Sequence, residues 1–168
     1  MQLKSPRPLG FALLEVLFAL GLLGAGMLGV AALMQTGLQT QRQQLARETA
    51  MRLAQDLAQR LQLNASQRAA YAQSFAQPVS AFSIDCQQSP CSAHALAQWD
   101  VSQWRAQVQS DLPNGDAAVF VSSNDWWGIV LAWSDPRETH RTDTTWGTPV
   151  CPPNKSCWRL WLHLGSHV

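Results

Sequence analysis

The strongest constraint on this chain is an uncharged apolar run near its N-terminus. Residues 17–34 are 18 consecutive positions without a charged side chain, about the length that a helix needs to cross a hydrocarbon core of ~30 Å. The wider apolar stretch, residues 11–34, is interrupted only by Glu15. Such a stretch predicts a membrane-inserted helix and is too long for the apolar region of a secretory signal peptide.

Charge predicts how this helix is oriented. Lys4 and Arg7 precede the apolar run, and the positive-inside rule keeps that end cytoplasmic while the remainder of the chain is exported. The formal net charge is +1, which gives no basic surplus for a nucleic-acid site. A hydrophobic content of 46% excludes disorder as a description of the whole chain.

The cysteines predict the compartment of the exported part. Cys86 and Cys91, then Cys151 and Cys157, form two pairs separated by four and five residues. This spacing favours short-loop disulfides in an oxidising compartment over a zinc site, which would use closer pairs. Four cysteines still allow three connectivities.

Helical periodicity continues beyond the membrane segment. No proline occurs between residues 11 and 63, so one helix is predicted to continue through both regions. Its second part is amphipathic, and its apolar stripe is expected to form the spine of the C-terminal domain. The stripe comprises Leu45, Ala46, Thr49, Ala50, Leu53, Ala54, Leu57, Ala58 and Leu61.

The remaining residues predict a small domain with a second helix and a sheet. Residues 65–98 are interpreted as a loop with short helical pieces, and residues 94–108 as a helix that ends at a turn containing Asn114 and Gly115. Three strands are predicted at residues 117–122, 127–134 and 157–164, forming an antiparallel sheet packed on the long helix. The fold class is therefore α+β.

Glu15 requires an explanation because a carboxylate inside a membrane helix is costly. A short basic leader that ends at Gly10, followed by Phe11 and by Glu15 four residues later, resembles the prepilin signature of type IV pilins and type II secretion pseudopilins. The resemblance implies that prepilin peptidase cuts between Gly10 and Phe11 and methylates the new N-terminus. It also implies that Glu15 pairs with the N-terminal amine of a neighbouring subunit. Ala12-Leu13 departs from the family's frequent Thr-Leu.

The C-terminal part resembles the PilV-like type IV pilus modification proteins, which are minor pilins. The resemblance rests on Trp99-Asp100, Trp104, Leu112-Pro113-x-Gly115 and the run 129–133. It implies a pilin-like fold with a leader at 1–10, a transmembrane and assembly half-helix at 11–34, an amphipathic half-helix at 35–64 and a periplasmic domain at 65–168. The implied function is assembly, initiation or tip modification of a pilus. The implied partners are major and minor pilins and the inner-membrane assembly platform.

Other functions stay open at this stage. One is a minor pseudopilin of type II secretion, and another is a signal-anchored periplasmic module that binds glycans through the aromatic residues Trp126, Trp146 and Trp161. Trp99, Trp104, Trp133 and Trp158 are instead expected in the core. The four histidines are scattered, and no catalytic or metal-binding motif occurs. We therefore expect neither enzymatic activity nor a metal or cofactor.

Overall fold

The structure is a computed structural model that describes residues 9–78, 85–122, 126–135 and 149–165. Side chains in the first helix are described from Leu13 onward. The candidate aromatic residue Trp146 lies outside the described residues. The described chain is α+β, with a long N-terminal helix, a short 3-10 helix, a second α-helix and three strands. The elements are α1 Leu9–Leu63, the 3-10 helix Ala65–Tyr71, α2 Ala93–Asp111, β1 Asp116–Val121, β2 Trp126–Ser134 and β3 Lys155–His163.

The chain divides into two compact units, with the boundary between Arg42 and Gln43. In the first unit every described side chain of α1 is exposed, including Leu17, Leu22 and Met34. Among the described residues, this helix alone is long and apolar enough to cross a membrane. Leucine, valine and methionine are normally buried in water-soluble proteins, so their exposure along this helix fits a membrane-anchored protein.

In the second unit, α1 forms one wall of the core. The predicted stripe is buried from Ala50 onward at helical spacing, and Leu53, Leu57 and Leu61 are at most 2% exposed. Leu45 is an error in that prediction, since its side chain is 61% exposed. Ala46 and Thr49 of the same stripe are half-buried, so Leu45 lies at the margin of the buried face and not at its centre.

The sheet has the strand order β1-β2-β3, with both neighbouring pairs antiparallel. Each strand lies within two residues of its prediction. Because side chains alternate along a strand, Ile129 and Leu131 of β2 face the helices, together with Val119 of β1. Trp158, Leu160 and Leu162 of β3 pack against this core with partial exposure, as expected from the alternation in the last strand.

A segment after the 3-10 helix extends the sheet at its β1 edge. Gln73 forms an antiparallel bridge with Val119, in which each backbone N–H donates to the other residue's carbonyl at 2.8 and 2.9 Å. This bridge covers part of an edge that would otherwise expose unpaired backbone groups. It also holds the chain between the 3-10 helix and α2 against the domain.

The second helix begins with a serine cap and is followed by a tight turn. The Ser92 side chain accepts a hydrogen bond from the backbone N–H of Ala95, as N-cap serines do. After the helix, Asn114 adopts a left-handed conformation with φ 49°, which asparagine tolerates better than most residues. Gly115 follows, and a side chain there would overlap the backbone carbonyl of Val108. The predicted turn is therefore present, and the glycine permits close approach of two backbone segments.

Candidate functional surfaces

The predicted processing and assembly residues lie at the start of α1. Gly10 and Phe11 fall within the helix, and Glu15 lies on its exposed surface one helical turn further on. Glu15 is the one acidic residue in the apolar stretch 11–34. In an apolar environment its carboxylate would need a cationic or hydrogen-bonding partner.

The structure joins Cys86 to Cys91 and Cys151 to Cys157. Of the three connectivities that the sequence allows, this is the one that pairs near neighbours. The second disulfide reaches the sheet because Cys157 belongs to β3, and Cys151 is only 6% exposed. It therefore fastens the segment before β3 to the strand itself.

The predicted core tryptophans are buried to different degrees. Trp104 and Trp133 are 0% and 5% exposed, and the indole N–H of Trp104 donates to the Leu53 carbonyl at 2.7 Å. Trp158 packs against the core with partial exposure, whereas Trp99 is half-buried and lies outside the core cluster. Apolar spacing in the sequence shows that Trp99 and Trp104 lie toward the apolar side of one helix, but not which of them lies at the centre of that side and which at its margin.

A buried polar cluster connects three helices and was not anticipated from the sequence. Asp100 of α2 accepts a hydrogen bond from Nη1 of Arg60 at 2.8 Å and another from the hydroxyl of Tyr71 at 2.7 Å. Asn64 donates to the Tyr71 hydroxyl at 3.4 Å and to the Ala93 carbonyl at 2.7 Å. The available signal was Asp100 itself, an acidic residue on the same face of α2 as Ala97 and Trp104.

Electrostatics agree with this geometry. Burial alone would lower the pKa of Arg60, but its hydrogen bond to Asp100 and the charges of Asp56 and Asp100 outweigh burial and raise that pKa. Burial raises the pKa of the Tyr71 hydroxyl, and the hydrogen bond to Asp100 raises it further. Arg60 is therefore charged and Tyr71 neutral at physiological pH. These states satisfy the Asp100 carboxylate and indicate a structural role.

A second buried cation lies where α2 meets the sheet. Arg105 is 2% exposed, and its Nη2 donates to the Asp116 carboxylate at 2.8 Å. Its Nη1 donates to the Gln73 side chain at 3.0 Å and to the Ala117 carbonyl at 3.1 Å. Burial lowers the pKa of Arg105, and the charge of Asp116 opposes this effect. The guanidinium thus connects α2, β1 and the segment that bridges to β1.

An open cavity of about 460 Å³ lies beside Arg105 and is also lined by Gln109 and Lys155. Its two cationic side chains form hydrogen bonds within the protein, although Nε of Arg105 is buried and has no hydrogen-bond partner among the described residues. Arg105 binds Asp116, and the Lys155 ammonium donates to the Asn114 carbonyl at 2.8 Å. No cluster of three or more metal-ligating side chains occurs in the described ranges.

Two of the candidate binding aromatics lie on the sheet face that points away from the helices. Trp126 and Trp161 are 43% and 39% exposed, whereas Trp127, the neighbour of Trp126, faces the core and is 6% exposed. Phe120, Arg159 and His163 share the outer face with them.

Comparison with known proteins finds a match to a family model over part of the chain. Residues 32–102 match the family model described as Tt1218-like, type IV pilin Tt1218. The match covers the second part of α1, the 3-10 helix and the first half of α2, and it supports a type IV pilin. None of the curated proteins and none of the solved structures gives a significant match.

The α+β architecture and the family match agree. A long helix with an apolar first part, packed through its second part on a three-stranded antiparallel sheet, is a pilin-like arrangement. The pilin family is structural rather than enzymatic, and its members interact with other pilins in a pilus. An apolar N-terminal helix also fits a membrane-anchored protein.

Proposed function

We propose that this chain is a minor pilin that takes part in the assembly or initiation of a type IV pilus or modifies its tip. The observation that carries the proposal is the exposed apolar first part of α1 joined to a domain with a type IV pilin match. A helix with leucine, valine and methionine exposed on every side needs lipid before assembly and other apolar helices after it.

The proposed topology is a single pass through the inner membrane. Lys4 and Arg7 would stay cytoplasmic, and the domain with its two disulfides would lie in the periplasm. Prepilin peptidase would cut between Gly10 and Phe11 and methylate the amine of Phe11. The inner-membrane assembly platform would then insert the helix among those of other pilins.

Glu15 would pair with the N-terminal amine of a neighbouring subunit during that insertion. Neither an unpaired carboxylate nor an unpaired ammonium is stable in an apolar helix bundle, because each carries a desolvation penalty of several kcal/mol. Pairing removes much of this penalty and fixes one helix against the next. The proposed role of Glu15 is therefore to set the register of this subunit among its neighbours.

Mass spectrometry of protein purified from its native membrane tests the processing step. The expected N-terminal peptide begins at Phe11 and carries one added methyl group. A Gly10→Ala variant provides the comparison and should retain residues 1–10. Native protein that keeps these residues in cells with active prepilin peptidase would contradict the proposal.

Substitution of Glu15 tests the assembly step. In Glu15→Ala the domain should fold as in the native protein, but the amount recovered in sheared pili should fall by tenfold or more. Glu48→Ala is the matched control, because it removes an exposed carboxylate of the same helix outside the apolar stretch. Equal recovery of both variants in pili would refute the pairing role, and recovery only with a type II secretion apparatus would refute the pilus assignment.

A further inference from the structure

The outer face of the sheet carries a fixed group of aromatic rings. Phe120, Gly128 and Trp161 are cross-strand neighbours on the three strands. A side chain at position 128 would overlap the Phe120 ring. Because Gly128 has no side chain, the Phe120 ring can lie over β2. The Phe120 and Trp161 rings pack edge to face, with their centroids 5.3 Å apart and their planes at 83°.

A second aromatic pair extends this group toward one end of the sheet. Trp126 and His163 are directly opposite each other on β2 and β3, and their ring centroids are 5.1 Å apart. Trp126 is 43% exposed and Trp161 is 39% exposed. The two large rings therefore lie on the same face, with the polar edge of an imidazole next to one of them.

Arg159 packs against two of these rings, Phe120 and Trp161. Its guanidinium carbon lies 5.7 Å from the Phe120 centroid and 5.5 Å from the Trp161 centroid, within the range of a cation–π contact. Its Nη2 also donates to the Pro149 carbonyl at 2.9 Å. The Phe120 and Trp161 rings are thus held by the protein itself, which reduces the side-chain entropy that is lost when a ligand binds.

Burial on this face is selective for side-chain type. The aliphatic residues Ala118, Val130 and Ala132 point to the same side as Trp161, yet they are at most 1% exposed. The aromatic residues Trp126 and Trp161 remain accessible. An interface that relies on aliphatic packing would need the aliphatic side chains to be exposed. A ligand that stacks on aromatic rings needs only the two tryptophans to be accessible.

We propose that this outer sheet face binds neutral carbohydrate through Trp126 and Trp161. The face of an indole ring is electron-rich, so it attracts the polarised C–H groups on the flat side of a sugar ring. The exposed imidazole of His163 supplies a polar group beside Trp126 for sugar hydroxyls. Residues 65–168 contain six basic and eight acidic residues, a net charge of −2, which disfavours polyanionic ligands. Carbohydrate binding does not depend on the assembly role proposed above.

Calorimetric titration of the full-length protein tests this proposal. The protein is held in a zwitterionic detergent without a sugar headgroup, and the probes are hexasaccharides of β-1,4-linked glucose, β-1,4-linked N-acetylglucosamine and α-1,4-linked glucose. We expect at least one of them to bind. Trp126→Ala and Trp161→Ala should each weaken that binding about three- to tenfold, and Trp126→Phe should restore most of it.

The controls separate stacking from loss of structure and from other partners. Leu63→Ala removes an 88% exposed apolar side chain elsewhere and should leave binding unchanged, and all variants should unfold at similar temperatures. Failure of all three hexasaccharides to bind would overturn the proposal, as would unchanged affinity in both alanine variants. Tighter binding of heparin or single-stranded DNA, lost at high salt, would also overturn it in favour of a polyanion site.

Discussion

The hydroxyl of Tyr71 donates a 2.7 Å hydrogen bond to Oδ2 of Asp100, while Oδ1 of the same carboxylate accepts from Arg60 at 2.8 Å. Tyr71 is the chain's single tyrosine and is 0% exposed. It ends the 3-10 helix, Arg60 lies near the end of α1, and Asp100 lies in the middle of α2. This carboxylate therefore fixes the relative positions of three helical elements within the domain.

Replacing Asp100 by asparagine tests how much this cluster stabilises the domain. Asp100→Asn removes the charge that faces Nη1 of Arg60 and leaves that guanidinium with Asp56 as its ionic partner at 3.0 Å, so we expect the free energy of unfolding to fall by about 1–3 kcal/mol. Asp111→Asn is the matched control on the same helix, because Asp111 pairs with the 70% exposed Arg52 at 3.5 Å. It should cost less than about 1 kcal/mol. Equal losses in denaturant titrations of the two variants would contradict the buried role of Asp100.

Tyr71 predicts a pH dependence of stability at alkaline pH. Burial and the hydrogen bond to Asp100 raise the pKa of Tyr71 in the folded protein, whereas an unfolded tyrosine has a pKa of about 10. Both states keep the proton below about pH 10, and above it the unfolded state loses the proton first. The stability contribution is therefore full below pH 10 and is lost as the pH rises further.

Thermal unfolding between pH 8 and pH 11.5 measures this effect. The native protein should lose stability above pH 10 more steeply than Tyr71→Phe, by at most about 1.4 kcal/mol per pH unit for one group. The phenylalanine variant also starts from lower stability because the hydrogen bond to Asp100 is absent. If stability fell in parallel with pH for the two proteins, Tyr71 would ionise at similar pH in the folded and unfolded states, which would contradict this prediction.

Much of this fold follows from the periodicity of the sequence. The long helix, the stripe from Ala50 to Leu61 and the three strands were all predictable, since each repeats apolar residues at the period of its element. The buried ion pairs were not, because the partners of Asp100 and Arg105 lie 40 and 11 residues away in sequence. Periodicity shows that a charge lies on a buried face, but only the packing of several elements identifies its partner.

The outer sheet face shows the same limit. Alternation along the last strand predicts that Trp161 and Trp158 point to opposite faces of the sheet. Trp126 and Trp161 are 43% and 39% exposed, and their role in binding stays a prediction. The contact of Phe120 with Gly128 depends on the register of three strands, and so does the position of Arg159 beside the Phe120 and Trp161 rings. A change of register by one residue would exchange the inner and outer faces, so these contacts required the structure.

Gly115 is predicted to be intolerant of a side chain. A Cβ atom there would overlap the Val108 carbonyl, and backbone atoms cannot move aside as a side chain can. We expect Gly115→Ala to lower the free energy of unfolding by about 1–3 kcal/mol. Asn114→Gly is the control in the same turn, because glycine accepts the left-handed conformation and only the 3.0 Å bond to Ser134 is lost. Similar stability of Gly115→Ala and the native protein in chemical denaturation would refute the proposed close contact.

The two disulfides are predicted to contribute unequally to stability. Closing a loop of about six residues stabilises a folded chain by roughly 2 kcal/mol through the entropy of the unfolded state. Cys86–Cys91 spans residues that are half-buried or exposed, whereas Cys151 is 6% exposed. The Cys151–Cys157 disulfide also fastens the segment before β3, in which the Pro149 carbonyl accepts a hydrogen bond from Arg159. Paired Cys→Ser substitutions at 151 and 157 should therefore lower the unfolding temperature more than those at 86 and 91, and should loosen the aromatic group on the outer face. Near-ultraviolet circular dichroism measures both effects, and equal or absent shifts in the two double variants would contradict this ranking.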